Sequence, residues 1–448
     1  MAAMNRLPSM LWTSLSFTFL LYSCSDPTKI FSDAAREKGT IKGMFVFGSS
    51  FFDSGTSGFL ETSLKADFLP YGIDFPDGPT GRFTNGKTYI DVLGELLNIS
   101  TFIPPFNDPS TKGNHAAVGV SFACGASGIL DETNSSAGGV LSLNEQIKKF
   151  EEVTLPEFEK QGKNSSRESL SKYLFVVGSG EKDYIFNYFM NRSKSKPSVK
   201  AFTDNLIANL SSQLKKLHSL GAQKFVVMGL YPMGCSPRNL VVEEPGQERV
   251  CDKSLNNAAL TFNYNLKTLV RRIKPEMSGS NLVMVNAYKI IEEILIDPAS
   301  QGFTQIRYSC CEVVSKEDHG NGISCEKEED TCDDRKEHVY YDGQHPTEAV
   351  NVALGAASYR FVDVAQVYPF KVVRFGGTKV CSHRFVSSGL QPPKPCCTAT
   401  GEEGLQSLNS TAQDSLTQRN LVAKFHQRQK GEMGFYARKM DEMRRQEQ

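Results

Sequence analysis

Short apolar runs alternate with helical patterns along most of this chain. Four runs rich in Val and Phe occupy residues 44–48, 173–178, 224–229 and 281–287, and this composition is typical of strands buried on both faces of a sheet. Between them, residues 198–219 and 253–273 carry apolar side chains at near-helical spacing. The alternation predicts an α/β fold, a three-layer α/β/α sandwich around a central parallel sheet.

The two ends of the chain differ from this pattern. Arg6 followed by the apolar residues 10–22 and the small residues 23–25 predicts a secretory signal peptide over residues 1–25. The apolar run is too short to span a membrane, although an uncleaved signal anchor is the alternative. Periodicity fades after Gly377, so residues 26–377 are the expected domain and residues 378–448 a poorly ordered extension.

The charge balance excludes some classes of partner. The 448 residues include 50 basic and 50 acidic side chains, for a formal net charge of zero. No basic stripe is interleaved with aromatic residues, so we expect no nucleic-acid partner. No later segment is apolar over the roughly 18 residues that a transmembrane helix needs.

The cysteines predict disulfides. Of eleven cysteines, six lie between residues 235 and 332, and behind a signal peptide such a cluster favours cross-links. Cys235 and Cys251 flank one loop after a strand and are the favoured pair, with the other four pairing among themselves. Cys124, in an apolar stretch, is expected to stay free. A zinc site is the alternative, but regular CxxC pairs are missing.

Asn-x-Ser/Thr sequons suggest that the chain carries N-glycans, as a secreted glycoprotein does. They begin at Asn98, Asn134, Asn164, Asn191, Asn209 and Asn409.

Two distant segments carry the candidate chemistry. "FVFGSSFFDSG", Phe45 to Gly55, reads as a buried strand that ends in a glycine and two serines. "YYDGQHPTEAVN" contains Asp342 three residues before His345, a spacing that lets a carboxylate bond one ring nitrogen and leaves the other free to take a proton. Serine hydrolysis needs these three groups: a hydroxyl, a base and an orienting acid. A DxxH motif alone occurs often by chance.

The serine segment resembles the first block of the plant GDSL esterase/lipase family, which belongs to the SGNH hydrolases. The family pattern is F-G-D-S-L-x-D-x-G. Segments 74–97, 119–129, 229–239 and 340–349 resemble further parts of the family in the right order, over roughly residues 42–370. The resemblance implies an SGNH hydrolase fold, Ser50 as nucleophile, His345 as base and Asp342 as orienting acid. It implies no metal or organic cofactor.

The chain departs from the family at three positions. The aspartate of "GDSL" is Ser49, the glycine donor of the second block is Ala126, and the asparagine of "GxND" is Lys182. By resemblance, the oxyanion hole consists of the Ser50 and Ala126 backbone N–H groups with Lys182 at the third place. Lys182 either points its ammonium into the site or is a solvated loop residue, which leaves one donor missing.

Three hypotheses follow. The first is a secreted serine esterase or lipase that hydrolyses small-molecule or lipid carboxylic esters through an acyl-enzyme on Ser50. The second is a weakened or inactive family member that binds an acylated ligand or a protein partner. The third is an acyltransferase, in which an alcohol replaces water.

Overall fold

The fold is that of a computed structural model. It describes residues 41–113, 117–133, 138–161, 169–190, 195–314, 322–360 and 366–369. The predicted signal peptide and C-terminal extension lie outside these residues, as do the sequons at Asn134, Asn164, Asn191 and Asn409.

A five-stranded sheet forms the centre of the domain. Its strands lie in the order β1 (Gly43–Gly48), β2 (Tyr173–Gly178), β3 (Lys224–Met228), β4 (Asn281–Val285) and β7 (Val367–Tyr368). The first four pair in parallel, so all four apolar runs are strands as predicted. The edge strand β7 is antiparallel and was not anticipated. The sheet is therefore mostly parallel.

Within the described residues, seven α-helices accompany the sheet, and six of them pack in two groups. The seven helices are α1 (Tyr89–Leu96), α2 (Leu143–Lys149), α3 (Leu155–Gln161), α4 (Val199–Ser219), α5 (Lys253–Arg272), α6 (Ala287–Ile296) and α7 (Glu348–Arg360). Helix α7 packs on α1 and α6, while α4 packs on α2 and α5. This confirms the α/β/α prediction. No helix in the described ranges is long and apolar enough to cross a membrane.

The two periodic segments form helices because each has a cap and a buried face. The Ser198 side chain accepts the Ala201 N–H at the start of α4, and Asp252 accepts two backbone N–H groups at the start of α5. Such caps satisfy donors that the first turn leaves free. Leu210 of α4 and Leu266 of α5 are among the side chains buried along these helices.

Three disulfides cross-link the second half of the domain. Cys235 pairs with Cys251, Cys310 with Cys332 and Cys311 with Cys325. Cys124 is free and buried. These pairings confirm the predictions. His338 lies beside Cys310 and Cys332, but their sulfurs are already bonded to each other and so are not the thiolates that zinc binds.

A second, smaller core lies beside the main one. Two of the disulfides contribute to it, and a two-stranded parallel sheet of β5 (Gln305–Ser309) and β6 (His338–Tyr340) runs next to its cysteines. Its buried members are Ala66, Tyr71, Phe83, Cys310, Cys311, Cys325 and Tyr341. The segment of Asp342 and His345 follows directly after Tyr341, so this core adjoins the predicted acid and base.

Candidate active site

Ser50 lies immediately beyond the carboxyl end of β1. Gly48 ends the strand with a φ of 142°, and a Cβ there would lie 1.9 Å from the Gly178 carbonyl oxygen, so only glycine fits. Ser50 then begins a short 3-10 helix, Ser50–Phe52. The first N–H groups of a helix have no intrahelical acceptor, so the Ser50 N–H is available to an oxyanion.

Ser50, His345 and Asp342 form one continuous chain of hydrogen bonds. Ser50 Oγ lies 2.7 Å from His345 Nε2, and His345 Nδ1 lies 2.7 Å from Asp342 Oδ2. An ionised carboxylate only accepts hydrogen bonds, so the proton of the neutral ring is on Nδ1. Nε2 is then the acceptor for the Ser50 hydroxyl, as a general base requires.

The backbone fixes the Asp342 carboxylate. Its second oxygen, Oδ1, accepts the N–H groups of Gln344 at 2.8 Å and His345 at 2.6 Å. The three-residue spacing between acid and base therefore closes a local turn in addition to the side-chain contact. Helix α7 begins at Glu348, shortly after Pro346.

Asp53 joins the loop that follows Ser50 to the second family-like block, residues 119–129. Its carboxylate accepts the N–H groups of Gly55 at 2.8 Å, Thr56 at 2.7 Å and Gly125 at 3.0 Å, together with the Ser57 hydroxyl at 2.5 Å. Complete burial raises the pKa of Asp53 to about 6, although these hydrogen bonds oppose the shift. The loops that hold Ser50 and Ala126 are thereby tied together.

Ala126 accommodates its methyl group in a conformation that favours glycine. Its φ is 63°, in the left-handed region, which costs roughly 1–2 kcal/mol for an L-residue with a side chain. The residue is buried. The backbone geometry of a glycine is therefore kept at this position despite the substitution.

Lys182 is buried, so of the two alternatives the solvated loop residue was wrong. The side chain is only 2% exposed, and its ammonium lies 5.8 Å from the centre of the Phe186 ring. Arg238 lies 5.2 Å from the same ring. Burial lowers the pKa of Lys182 to about 8, against the opposing influence of Glu181 and Asp342. Within the described residues, the ammonium donates no hydrogen bond to another side chain.

The acidic neighbours of Lys182 have other partners. Asp183 accepts the Ile129 N–H at 2.8 Å, the Leu130 N–H at 3.0 Å and the Thr133 hydroxyl at 2.6 Å. Glu181 accepts a hydrogen bond from the Ser49 hydroxyl. The Ser49 side chain therefore points to Glu181, and Ser50 is the serine that meets His345.

Sequence reasoning missed three residues of this site. The Tyr71 hydroxyl donates to Asp342 Oδ2 at 2.7 Å, and the Phe83 ring packs 5.0 Å from the His345 ring. The third is Glu181, whose carboxylate accepts the Ser49 hydroxyl. Tyr71 and Asp342 are 271 residues apart, so no local pattern could have joined them. The only signal in the sequence is that Tyr71 lies three residues before the family-like segment 74–97.

Comparison with known proteins identifies the family of this chain. The GDSL-like lipase/acylhydrolase family matches residues 44–357. The GDSL esterase/lipase At1g33811 of Arabidopsis thaliana is 33% identical over 346 residues, which cover 75% of this chain and 91% of the relative. The GDSL esterase/lipase At1g71250 of the same plant is 35% identical over 335 residues, covering 74% and 88%. From strand β1 into helix α7, the chain belongs to the GDSL-like lipase/acylhydrolase family.

Proposed function

We propose that the protein is a carboxylic ester hydrolase that works through an acyl-enzyme on Ser50. The observation that carries this proposal is the unbroken hydrogen-bond chain from Ser50 Oγ through His345 to Asp342, with 2.7 Å at both links. The three groups that serine catalysis requires are thus in contact in the correct order.

The first half-reaction forms the acyl-enzyme. Ser50 Oγ attacks the ester carbonyl carbon while His345 Nε2 takes the hydroxyl proton, and Asp342 stabilises the resulting imidazolium. The tetrahedral intermediate places its negative charge near the backbone N–H groups of Ser50 and Ala126. The imidazolium then protonates the leaving alkoxide as the carbon–oxygen bond breaks, and the alcohol departs.

The second half-reaction releases the acid. Water gives a proton to His345 and attacks the acyl carbonyl, and the Ser50 oxygen leaves with the proton that His345 returns. Lys182 completes the proposed oxyanion hole. Its buried ammonium would act where little water screens it, so it would have a large effect on charge that develops in the transition state.

Turnover of a short-chain p-nitrophenyl ester by the purified protein tests the proposal. We expect Ser50→Ala to abolish turnover and Ser54→Ala to preserve it. Ser54 is a matched control because it is a buried serine of the same loop whose hydroxyl has no hydrogen-bond partner among the described residues. Equal turnover by the wild type and Ser50→Ala would contradict the assignment.

The same assay separates the alternatives. A folded wild type that binds the ester without Ser50-dependent turnover would favour a binding protein, for which the altered positions Ser49, Ala126 and Lys182 are the supporting observation. Ester products formed from an added alcohol would identify an acyltransferase.

We also propose secretion and N-glycosylation. Three disulfides favour an oxidising compartment, and the described sequons Asn98 and Asn209 lie outside the buried core. Enzymatic removal of N-glycans should increase gel mobility of the protein recovered from the medium. Unchanged mobility would contradict glycosylation, and retention inside the cell would contradict secretion.

A further inference from the structure

Asp342 Oδ2 accepts two hydrogen bonds. One comes from His345 Nδ1 at 2.7 Å, and the other comes from the Tyr71 hydroxyl at 2.7 Å. The carboxylate is fully buried, as is the Tyr71 side chain. The phenol therefore acts on the same oxygen that holds the predicted base.

The direction of the Tyr71 hydrogen bond follows from its second neighbour. The Cys325 backbone N–H donates to Tyr71 Oη at 3.1 Å. A backbone N–H can only donate, so the hydroxyl proton is free to point at Asp342. Burial, followed by the charge of Asp342, raises the pKa of Tyr71, so the phenol keeps that proton.

The smaller core holds Tyr71 from several sides. Its ring packs against Phe68, Phe83 and Tyr341, and Phe83 also contacts the His345 ring. Cys325, which donates to the hydroxyl, is cross-linked to Cys311. The same disulfide-bonded core therefore holds Tyr71, which donates to Asp342, and Phe83, which packs against the His345 ring.

We propose that Tyr71 is a positioning residue for His345, acting through the Asp342 oxygen that the two side chains share. Two donors on one oxygen compete, so the phenol moderates the Asp342–His345 bond while it restricts rotation of the carboxylate. The contacts alone support the positioning role of Tyr71. The expected effect on turnover rests on the proposed function.

Removing the Tyr71 hydroxyl should change both the strength of the Asp342–His345 bond and the freedom of the carboxylate to rotate. In Tyr71→Phe, the bond between Asp342 and His345 loses its competitor, so the His345 Nδ1 proton should resonate further downfield. The carboxylate also becomes less constrained. Loss of a hydrogen bond to a charged group typically changes an equilibrium constant on the order of tenfold or more. Because Tyr71 acts on the acid and base and not on the substrate, we expect kcat to fall about tenfold and KM to change by less than about twofold.

The NMR experiment uses ¹⁵N-histidine protein carrying Ser50→Ala, so it does not depend on turnover. Tyr71→Phe is compared with Tyr341→Phe. Tyr341 is a matched control because it is a buried tyrosine of the same core whose hydroxyl donates to the Pro70 carbonyl at 2.5 Å, not to Asp342. The expected result is a downfield shift in Tyr71→Phe and an unchanged resonance in Tyr341→Phe.

A second replacement covers the case in which Tyr71→Phe does not fold. Incorporation of 3-fluorotyrosine at position 71 keeps the hydroxyl and makes it a stronger donor, so the His345 Nδ1 resonance should move upfield. A resonance that both Tyr71 replacements leave unchanged would overturn the inference. A resonance that moves as expected in a protein without Ser50-dependent hydrolysis would support the positioning role and contradict the proposed function.

Discussion

Replacing Lys182 tests whether a lysine ammonium completes the proposed oxyanion hole. The side chain is 2% exposed, so its charge acts where little water can screen it. Loss of one side-chain oxyanion donor typically lowers kcat by about 10²–10³, or roughly 2.7–4 kcal/mol of transition-state stabilisation. We expect this loss in Lys182→Ala. Lys182→Asn returns a neutral amide donor and should preserve or raise kcat.

The pH dependence gives an independent measure of the same charge. Burial lowers the pKa of Lys182 to about 8, so the ammonium is present below this pH and is lost as the pH rises through it. If the charged form is required, wild-type kcat should fall about tenfold between about pH 7 and pH 9. Lys182→Asn has no ammonium to lose, so this fall should be absent.

The assay is steady-state release of p-nitrophenol at saturating ester, corrected for spontaneous hydrolysis at each pH. Lys196→Ala is the control for loss of a positive charge, because Lys196 lies over the Tyr188 ring at 4.8 Å but is exposed. Unchanged turnover in Lys182→Ala with increased turnover in Lys182→Asn would refute the reasoning. It would favour a weakened or binding-only protein.

Three further predictions concern stability and redox state. Arg82→Ala should lower the free energy of unfolding in urea by about 3–5 kcal/mol, because it leaves the buried Asp91 carboxylate without its charged partner. Arg335→Ala, at a partly exposed pair, should cost about 1 kcal/mol or less, and equal losses would contradict the argument. Burial raises the pKa of Asp183 from 3.8 to about 6, so the folded state keeps this proton to a higher pH than the unfolded state does. The free energy of unfolding should therefore fall by roughly 2–2.5 kcal/mol as the pH rises from about 4 to about 7. This component should vanish in Asp183→Asn, and an identical urea–pH dependence in both proteins would oppose it. Thiol counting on denatured, non-reduced protein should find Cys124 reactive and the six cysteines between residues 235 and 332 blocked; reactive thiols from that segment would contradict the pairing.

Local patterns predicted the four parallel strands of the sheet, and the resemblance to a family supplied the proposed triad. The central strands are short apolar runs because both faces are covered, and the acid and base are close along the chain as "DGQH". The contacts that support the site could not be predicted in this way. Tyr71 reaches Asp342 only because a separate small core folds beside the sheet. Strand β7 has two residues, too few for a periodic pattern.

The sequence could not decide whether Lys182 points into the site or into solvent. A lysine between Glu181 and Asp183 reads as part of an exposed charged loop, since charged residues are seldom fully buried. The structure differs because Asp183 is occupied by donors from Ile129, Leu130 and Thr133 and begins a π-helical segment, Asp183–Phe189. Phe186 of that segment provides the ring that lies near the ammonium.

The contact between Ser49 and Glu181 makes the side chains that these two positions tolerate depend on each other. Where the family pattern has an aspartate, this chain has Ser49, and the Ser49 hydroxyl donates to a buried carboxylate 132 residues away. An aspartate at position 49 together with Glu181 would bring two carboxylates into contact in a buried place, where like charges are costly. We therefore expect an aspartate at position 49 to be tolerated only when position 181 carries no carboxylate.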